Sequence, residues 1–168
     1  MACQAQLVNV IAPIMTEPGG VAWRQTIFHP FALTSRLAQG VVLRVEPQTA
    51  TYETQRFGAV PILDAVATYH PATGVVAVFA VNRSVDGPVE LTVGLAGFGE
   101  LFVDEAWTVG GADPYARNSA DDPDRVRPEE LQGATLAHST LTATLPPVSW
   151  AVIHLRPSGA QGEVDAGR

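Results

Sequence analysis

The segments AQLVNVIAPI (residues 5–14), MTEPGG (15–20) and AWRQTIFHPF (22–31) form the stretch that decides the fold of this chain. An apolar segment runs into a turn and then into a segment whose aromatic and aliphatic residues recur at helical spacing. Pro18 and the glycine pair after it are typical of a loop. A buried strand end, a loop and a covering helix together predict one βα unit of a parallel α/β architecture.

The covering helix is predicted over residues 23–38. Pro30 lies inside this run, so we expect it to kink the helix or to displace its start. Gly40 follows the run and is expected to end the helix in the left-handed conformation that glycine adopts readily.

Beyond Gly40 the hydrophobic pattern takes on the period of β-strands. Residues 60–69 and 75–82, which flank the turn at 71–74, predict a hairpin. Residues 89–95 alternate apolar and polar side chains, which indicates an antiparallel strand with one face in water. Short strands separated by turn signals predict an all-β sandwich or jelly roll.

The opening motif resembles the last βα unit of the catalytic barrel in α-L-arabinofuranosidases of glycoside hydrolase family 51. In that family AQLVNVIAPI, TEPGG, AWRQTIF and PF recur in this order and at this spacing. The later part resembles the family's C-terminal β-sandwich, with the best matches at VPILD (60–64), FAVNR (79–83) and LPPVSW (145–150). The ordered loop predicted at 110–130 also resembles that domain, through an Asn followed by a Pro-Asp-x-Val-x-Pro segment.

This resemblance implies a mainly β chain with a jelly-roll-like C-terminal β-sandwich, preceded by the last strand–loop–helix of a TIM (β/α)8 barrel. Residues 1–38 are predicted to be the incomplete barrel unit, with residues 2–6 as the tail of its strand and 7–22 as its loop. Residues 39–157 are predicted to be the sandwich. The Gly-rich segment 158–168 is predicted to be a disordered tail.

Composition excludes several classes of function. The chain has 168 residues, 46% of them hydrophobic, and a net charge of −7, and all ten basic residues are arginines. A dispersed acidic balance argues against nucleic acid or an anionic membrane as partner. Cys3 is the only cysteine, so no internal disulfide or zinc motif is expected. No apolar run is long enough to span a bilayer and no signal peptide is visible, so a cytoplasmic location is expected.

Catalysis is expected to require residues outside this chain. A retaining glycosidase needs two carboxyl groups about 5–5.5 Å apart, and the resemblance implies two glutamates on earlier barrel strands. We find no convincing substitute pair, so no catalytic residue is assigned and the isolated chain is predicted to be inactive. Glu17 follows Thr16 within the predicted loop, near the expected active-site rim. We interpret it as a solvated or loop-fixing carboxylate rather than a catalytic one.

Gln6 is the one candidate substrate-binding residue. The resemblance implies that this glutamine lies at the tip of the eighth barrel strand and contacts the arabinofuranosyl ring in the first subsite. An amide can both donate to and accept from sugar hydroxyls. The alternative is an amide that only satisfies backbone groups of its loop. Trp23 is interpreted as a packing residue, with stacking on a sugar as the alternative.

No metal or cofactor is predicted. Asp121, Asp122 and Asp124 offer hard oxygen ligands for calcium, but they lack EF-hand spacing and are interpreted as a solvated loop. The histidines show no helical or zinc-like pairing and are expected to be surface or structural residues: His29, His70, His138 and His154. Trp107 and Trp150 lie in strand runs and are expected to pack in the core.

Two functions follow from these observations. The first is the C-terminal segment of an arabinofuranosidase that acts on arabinan, arabinoxylan or related oligosaccharides, as a homo-oligomer. The second is a stand-alone β-sandwich that binds carbohydrate or protein. On the first reading, the upstream barrel covers an apolar patch. The resemblance also implies that chain from the N-terminal end of the enzyme pairs with a strand edge of the sandwich that is otherwise unpaired. The patch residues are Leu7, Val8, Val10, Ile11, Ile14, Ile27, Phe28 and Phe31.

Overall fold

The computed structural model of the protein describes residues 3–111 and 113–160. The predicted disordered tail therefore lies largely outside the described residues, because 161–168 are not among them. Its first three residues, Ser158–Ala160, form a 3-10 turn. The amide of Ser158 donates to the carbonyl of Glu100 at 2.9 Å, so the tail begins as an extension of the sandwich rather than as a free segment.

The fold is a β-sandwich of a six-stranded and a three-stranded antiparallel sheet, which confirms the predicted mainly β class. The strand order is β10-β9-β13-β7-β6-β3 in the larger sheet and β11-β12-β8 in the smaller one, and two hairpins, β1-β2 and β4-β5, stand beside them. The strands in chain order are β1 Ile14–Thr16, β2 Ala22–Arg24, β3 Val41–Leu43, β4 Thr51–Thr54, β5 Gly58–Pro61, β6 Leu63–His70, β7 Val75–Asn82, β8 Val89–Gly94, β9 Leu101–Gly110, β10 Glu129–Glu130, β11 Thr135–Ala137, β12 Thr140–Leu145 and β13 Ser149–Pro157.

The main core lies between the two sheets. Successive side chains of a strand point to opposite faces, and the inward set here is aliphatic. It includes Val76 and Leu155 on the larger sheet and Leu141 and Leu145 on the smaller one, each 0% exposed. Strand β8 shows the predicted half-buried pattern, with Leu91 buried between exposed Glu90 and Thr92.

A second apolar cluster lies on the outer face of the larger sheet, beneath the helix α1, Phe28–Leu37. Leu37 of the helix packs with Ala77, Phe79 and Val152, and Trp107 and Trp150 flank them. Both tryptophans are therefore packing residues, as predicted. Because β7 and β13 are covered on both faces, residues 75–81 and 150–153 are continuous apolar runs instead of alternating ones.

The helix begins five residues later than the sequence predicts. Residues 22–24 pair with β1 instead, with Ala22 opposite Thr16 and Arg24 opposite Ile14. Pro30 consequently lies in the first helical turn, where a missing N–H costs nothing, and this is the predicted displacement of the start. Gly40 has φ +84° as expected, and a Cβ there would lie 2.1 Å from the carbonyl oxygen of Tyr69.

The predicted strand tail at residues 2–6 is wrong for the described part, 3–6, which forms no strand. A parallel barrel strand needs hydrogen-bonded neighbours on its flanks. The described residues give this region one isolated parallel bridge, between Val8 and Ile14. The segment is therefore a loop that folds back on β1.

Strand β8 has one described neighbour, β12, so its other edge carries no strand among the residues that the structure describes. A cleft of about 470 Å³ runs beside this edge and is lined by Leu63, Ala65 and Ala67 of the opposite sheet.

Candidate functional site

Gln6 lies in an exposed loop, residues 5–13, which we call the Gln6 loop. Its side chain is exposed and its backbone is left-handed, with φ 63°. Asn9 and Val10 are also left-handed, at φ 62° and 60°. For a β-branched residue such as Val10 this conformation is an outlier that costs of the order of 1–3 kcal/mol. Such strain persists only where surrounding contacts fix the backbone, and it is concentrated at functional sites.

The side chain of Asn9 fixes the Gln6 loop to β1. Its Oδ1 accepts the backbone N–H of Thr16 at 2.7 Å, and its Nδ2 donates to the hydroxyl of Thr16 at 2.9 Å. The backbone N–H of Asn9 donates to the carbonyl of Ile14 at 2.8 Å. Ala12 and Pro13 are buried beneath the loop. Both the side chain and the backbone of Asn9 therefore fix the position of the chain three residues after Gln6.

Glu17 opens the turn between β1 and β2, in an exposed position. The N–H of Gly20 donates to the carbonyl of Glu17 at 3.0 Å, with Pro18 second and Gly19 third at φ +71°. Proline followed by a positive-φ glycine is the signature of a type II turn. The MTEPGG motif thus forms the predicted turn, and Glu17 stands at its start as a solvated carboxylate.

A long loop of the sandwich, residues 111–128, contacts the β1-β2 hairpin through Asn118, which is 3% exposed. Its Nδ2 donates to the carbonyl oxygens of Arg24 at 2.9 Å and Val126 at 2.8 Å, and its Oδ1 accepts the N–H of Val126 at 2.7 Å. We call these hydrogen bonds the Asn118 bridge. No role for this residue is readable from the sequence, because Arg24 lies 94 positions away along the chain.

Trp23 and His29 pack near this bridge. The Trp23 Nε1 and the His29 Nε2 are buried without a hydrogen-bond partner among the described residues. Burial lowers the pKa of His29, and the nearby positive charge of Arg24 lowers it further, although Asp124 opposes the shift. His29 is a structural residue as expected: it is 6% exposed and meets the ring of Phe28 edge-on.

Helix α1 is fixed to the outer sheet face by an ion pair that the sequence analysis missed. Both guanidinium nitrogens of Arg36 lie 2.7 Å from the two carboxylate oxygens of Glu105, and the Trp107 indole donates to the same carboxylate at 2.5 Å. The hydrogen bond from Arg36 lowers the pKa of Glu105, and the same pairing raises the pKa of Arg36.

Asp104, Glu105 and His154 bring their ligand atoms together at a register shift between β9 and β13. His154 Nδ1 lies 3.1 Å from Asp104 Oδ2. The oxygens of Glu105 already face the guanidinium of Arg36, so this group is an ion-pair network. The aspartates that the sequence analysis considered for calcium, Asp121, Asp122 and Asp124, are all exposed.

Six of the eight residues in the predicted apolar patch are exposed. Ile14 and Phe28 are partly buried instead. The exposed fractions are Leu7 71%, Val8 43%, Val10 77%, Ile11 64%, Ile27 44% and Phe31 37%. Four of these residues follow Gln6 in its loop, at positions 7, 8, 10 and 11, and the other two lie at the start of α1.

A cavity of about 640 Å³ lies between the start of α1, the outer sheet face and the 111–128 loop. Trp150, Val81 and Ile27 supply apolar walls, and Arg125 and Arg127 stand among the polar ones. The described residues contain no helix long and apolar enough to cross a membrane.

Comparison with known proteins places this fold in a family. The family model of the α-L-arabinofuranosidase C-terminal domain matches residues 1–149. An intracellular exo-α-(1→5)-L-arabinofuranosidase of Streptomyces lividans is 49% identical over 150 residues, which cover 89% of this chain and 22% of that enzyme. An exo-α-(1→6)-L-arabinofuranosidase of Bifidobacterium longum is 44% identical over 155 residues, covering 90% of this chain and 30% of the relative.

The solved structure of a family 51 α-L-arabinofuranosidase from Bifidobacterium longum superposes with a TM-score of 0.82 at 41% identity. The match covers 89% of this chain and 29% of that one. Sequence and fold agree, so the chain belongs to the α-L-arabinofuranosidase C-terminal domain family of the glycoside hydrolase family 51 enzymes.

Proposed function

We propose that this chain is the C-terminal segment of an α-L-arabinofuranosidase that removes terminal α-L-arabinofuranosyl groups from arabinan- or arabinoxylan-type oligosaccharides with retention of configuration. The observation that carries the proposal is the 49% identity to a protein named as an exo-α-(1→5)-L-arabinofuranosidase, of which this chain spans 22%. Relatives named for (1→5) and for (1→6) linkages are nearly equally similar to this chain, so the proposal names the sugar that is removed but not the linkage that is cleaved.

In this proposal residues 1–38 belong to the catalytic barrel and 39–157 to the sandwich. The exposed patch around Gln6 supports this division, since an apolar surface of this kind on a folded domain marks a contact site. The barrel would cover the patch, bring the two catalytic glutamates and place Gln6 against the arabinofuranosyl ring. We extend the same proposal to a homo-oligomer and to the intracellular location that the Streptomyces lividans relative has in its name.

Carbohydrate binding without a barrel is the less supported alternative. A sugar-binding module needs aromatic side chains that line up on one exposed face. The exposed aromatic residues of the described chain stand on three separate segments: Phe31 on α1, Tyr52 and Phe57 in the β4-β5 hairpin, and Tyr115 in the 111–128 loop.

The test compares the 168-residue chain with the complete reading frame that encodes it, using an aryl α-L-arabinofuranoside as substrate. We expect hydrolysis by the complete enzyme and none by the chain alone. In the complete enzyme, Gln6→Ala should lower kcat/KM about tenfold or more, because a sugar hydroxyl loses its amide partner. Gln55→Ala, an exposed glutamine in the β4-β5 turn of the sandwich, is the matched control.

Sustained hydrolysis by the purified chain would overturn the predicted inactivity. A complete enzyme without arabinofuranosidase activity would overturn the function itself. Calorimetric titration of the isolated chain with arabino- and xylo-oligosaccharides distinguishes the alternative from the proposed function, since only a binding module releases or absorbs heat of binding without the barrel.

A further inference from the structure

We propose that Asn118 of the sandwich is a positioning residue for Gln6, so that the C-terminal domain holds part of the substrate site in place. This inference rests on the proposed function, because it concerns the same sugar-binding glutamine. It adds a residue that lies outside the barrel segment and never touches the substrate.

The first step of the argument is the Asn118 bridge. Both hydrogens of its amide are donated, one to Arg24 on β2 and one to Val126 on the sandwich loop, and its oxygen accepts from Val126. A buried side chain with this set of partners has one favourable orientation, so it fixes β2 relative to the loop.

The loop itself is anchored in the sandwich at both ends. It leaves β9 at Gly110, whose φ is +119°, and it returns as β10, which pairs with β9 through Glu130 and Trp107. Beyond β10, Leu131 is buried and donates its N–H to Ala106 at 2.9 Å. The fixed end of the bridge is therefore the large sheet.

The second step runs through successive hydrogen bonds from β2 to Asn9, which lies three residues after Gln6 in the Gln6 loop. Arg24 pairs with Ile14 on β1, and the N–H of Gln25 donates to Pro13 at 2.8 Å. Ile14 in turn accepts from Asn9, whose side chain also holds Thr16. Asn9 and Val10 are two of the left-handed residues of the Gln6 loop, so the geometry of that loop depends on a hairpin that Asn118 holds.

A double-mutant cycle in the complete enzyme tests the inference. Asn118→Ala should lower kcat/KM for an aryl α-L-arabinofuranoside about tenfold, since a displacement of the order of 1 Å in a binding group has effects of this size. In the Gln6→Ala background the same change should have little further effect, because Asn118 acts through Gln6. Asn118→Asp keeps the acceptor for Val126 and loses both donors, and it should lower kcat/KM similarly if the bond to Arg24 carries the effect.

Asn82→Ala is the matched control. Asn82 is a buried asparagine, 1% exposed, whose amide donates to the carbonyls of Leu145 and Pro146, where β12 leads into β13, and not to the β1-β2 hairpin. Its loss should lower stability without lowering kcat/KM selectively. Hydrogen exchange in the same complete enzymes should show faster exchange at the amides of Asn9 and Gln25 for Asn118→Ala, by about tenfold, and not for Asn82→Ala.

The outcomes separate the two proposals. Additive effects of Gln6→Ala and Asn118→Ala on kcat/KM overturn the positioning role and leave Gln6 as a sugar contact. An unchanged kcat/KM in Gln6→Ala overturns the assignment of Gln6 and the positioning role with it. Non-additive effects together with faster exchange at Asn9 and Gln25 support both.

Discussion

Leu37→Ala should separate α1 from the sandwich, because Leu37 is the buried anchor of that contact. It is 4% exposed and packs with Ala77, Phe79 and Val152, of which Val152 is itself 0% exposed. Truncation of a buried leucine to alanine costs about 2–5 kcal/mol, with the upper end where the site cannot collapse. Here the floor of the site is a β-sheet that is also packed on its other face, so we expect little collapse and a loss of about 3 kcal/mol or more.

For a chain of this length each kcal/mol lowers the melting temperature by about 2–4 °C, which gives a shift of about 6–12 °C. Urea unfolding at low protein concentration, followed by tryptophan fluorescence, measures the same loss through Trp107 and Trp150 beside the anchor. The control is Val42→Ala, an apolar residue on the same outer face but 73% exposed, which should change stability by less than about 0.5 kcal/mol. Equal, small effects of the two substitutions would refute the packing of α1 on the sandwich.

Three further changes follow from the geometry of single residues. Gly40→Ala should destabilise by at least about 1–2 kcal/mol in scanning calorimetry, since it forces a left-handed alanine whose Cβ meets the carbonyl of Tyr69 at 2.1 Å. His29→Phe should reduce the loss of stability on acidification. Because the pKa of His29 is lowered in the folded protein, the unfolded chain takes up the proton first as the pH drops below 6.5. The free energy of unfolding should therefore fall with pH in the wild type and fall less in the variant. Glu105→Gln should flatten the pH dependence of stability below pH 4.5. Because the pKa of Glu105 is lowered in the folded protein, its carboxylate contributes stability above this pH, and that stability is lost as the pH falls through the folded-state pKa.

Each of these predictions has a result that contradicts it. A Gly40→Ala variant as stable as the wild type would mean that the chain leaves α1 by another path. A wild type and a His29→Phe variant with the same stability profile between pH 5 and 7 would show that His29 is solvated. If Glu105→Gln kept the pH dependence of stability that the wild type shows in acid, other carboxylates would be responsible for it. The control is Glu46→Gln, whose partner Arg44 is 88% exposed, and it should leave that pH dependence unchanged.

The sequence alone determined the parts of the fold that depend on local chemistry. Pro18 and Gly19 define a type II turn because proline fixes one dihedral and glycine permits the next. Gly40 ends the helical segment for the same reason. The turn at 71–74 joins β6 and β7 as predicted, and the alternation along β8 assigned its wet face correctly. Family membership also followed from short motifs in a fixed order.

Tertiary structure decided what these local rules leave open. The sequence predicts a helix from residue 23, but pairing with β1 made Ala22–Arg24 a strand and moved the helix start to Phe28. The predicted strand tail at 3–6 formed a loop, because no strand of the described residues lies beside it.

The candidate site shows the same division. Motif resemblance selected Gln6, but the contacts that hold its loop were not readable from the sequence. Asn118 meets Arg24 across 94 positions and Arg36 meets Glu105 across 69. Short-range patterns report backbone conformation, whereas such pairs exist only once two distant segments share an interface, and that is a property of the packed chain.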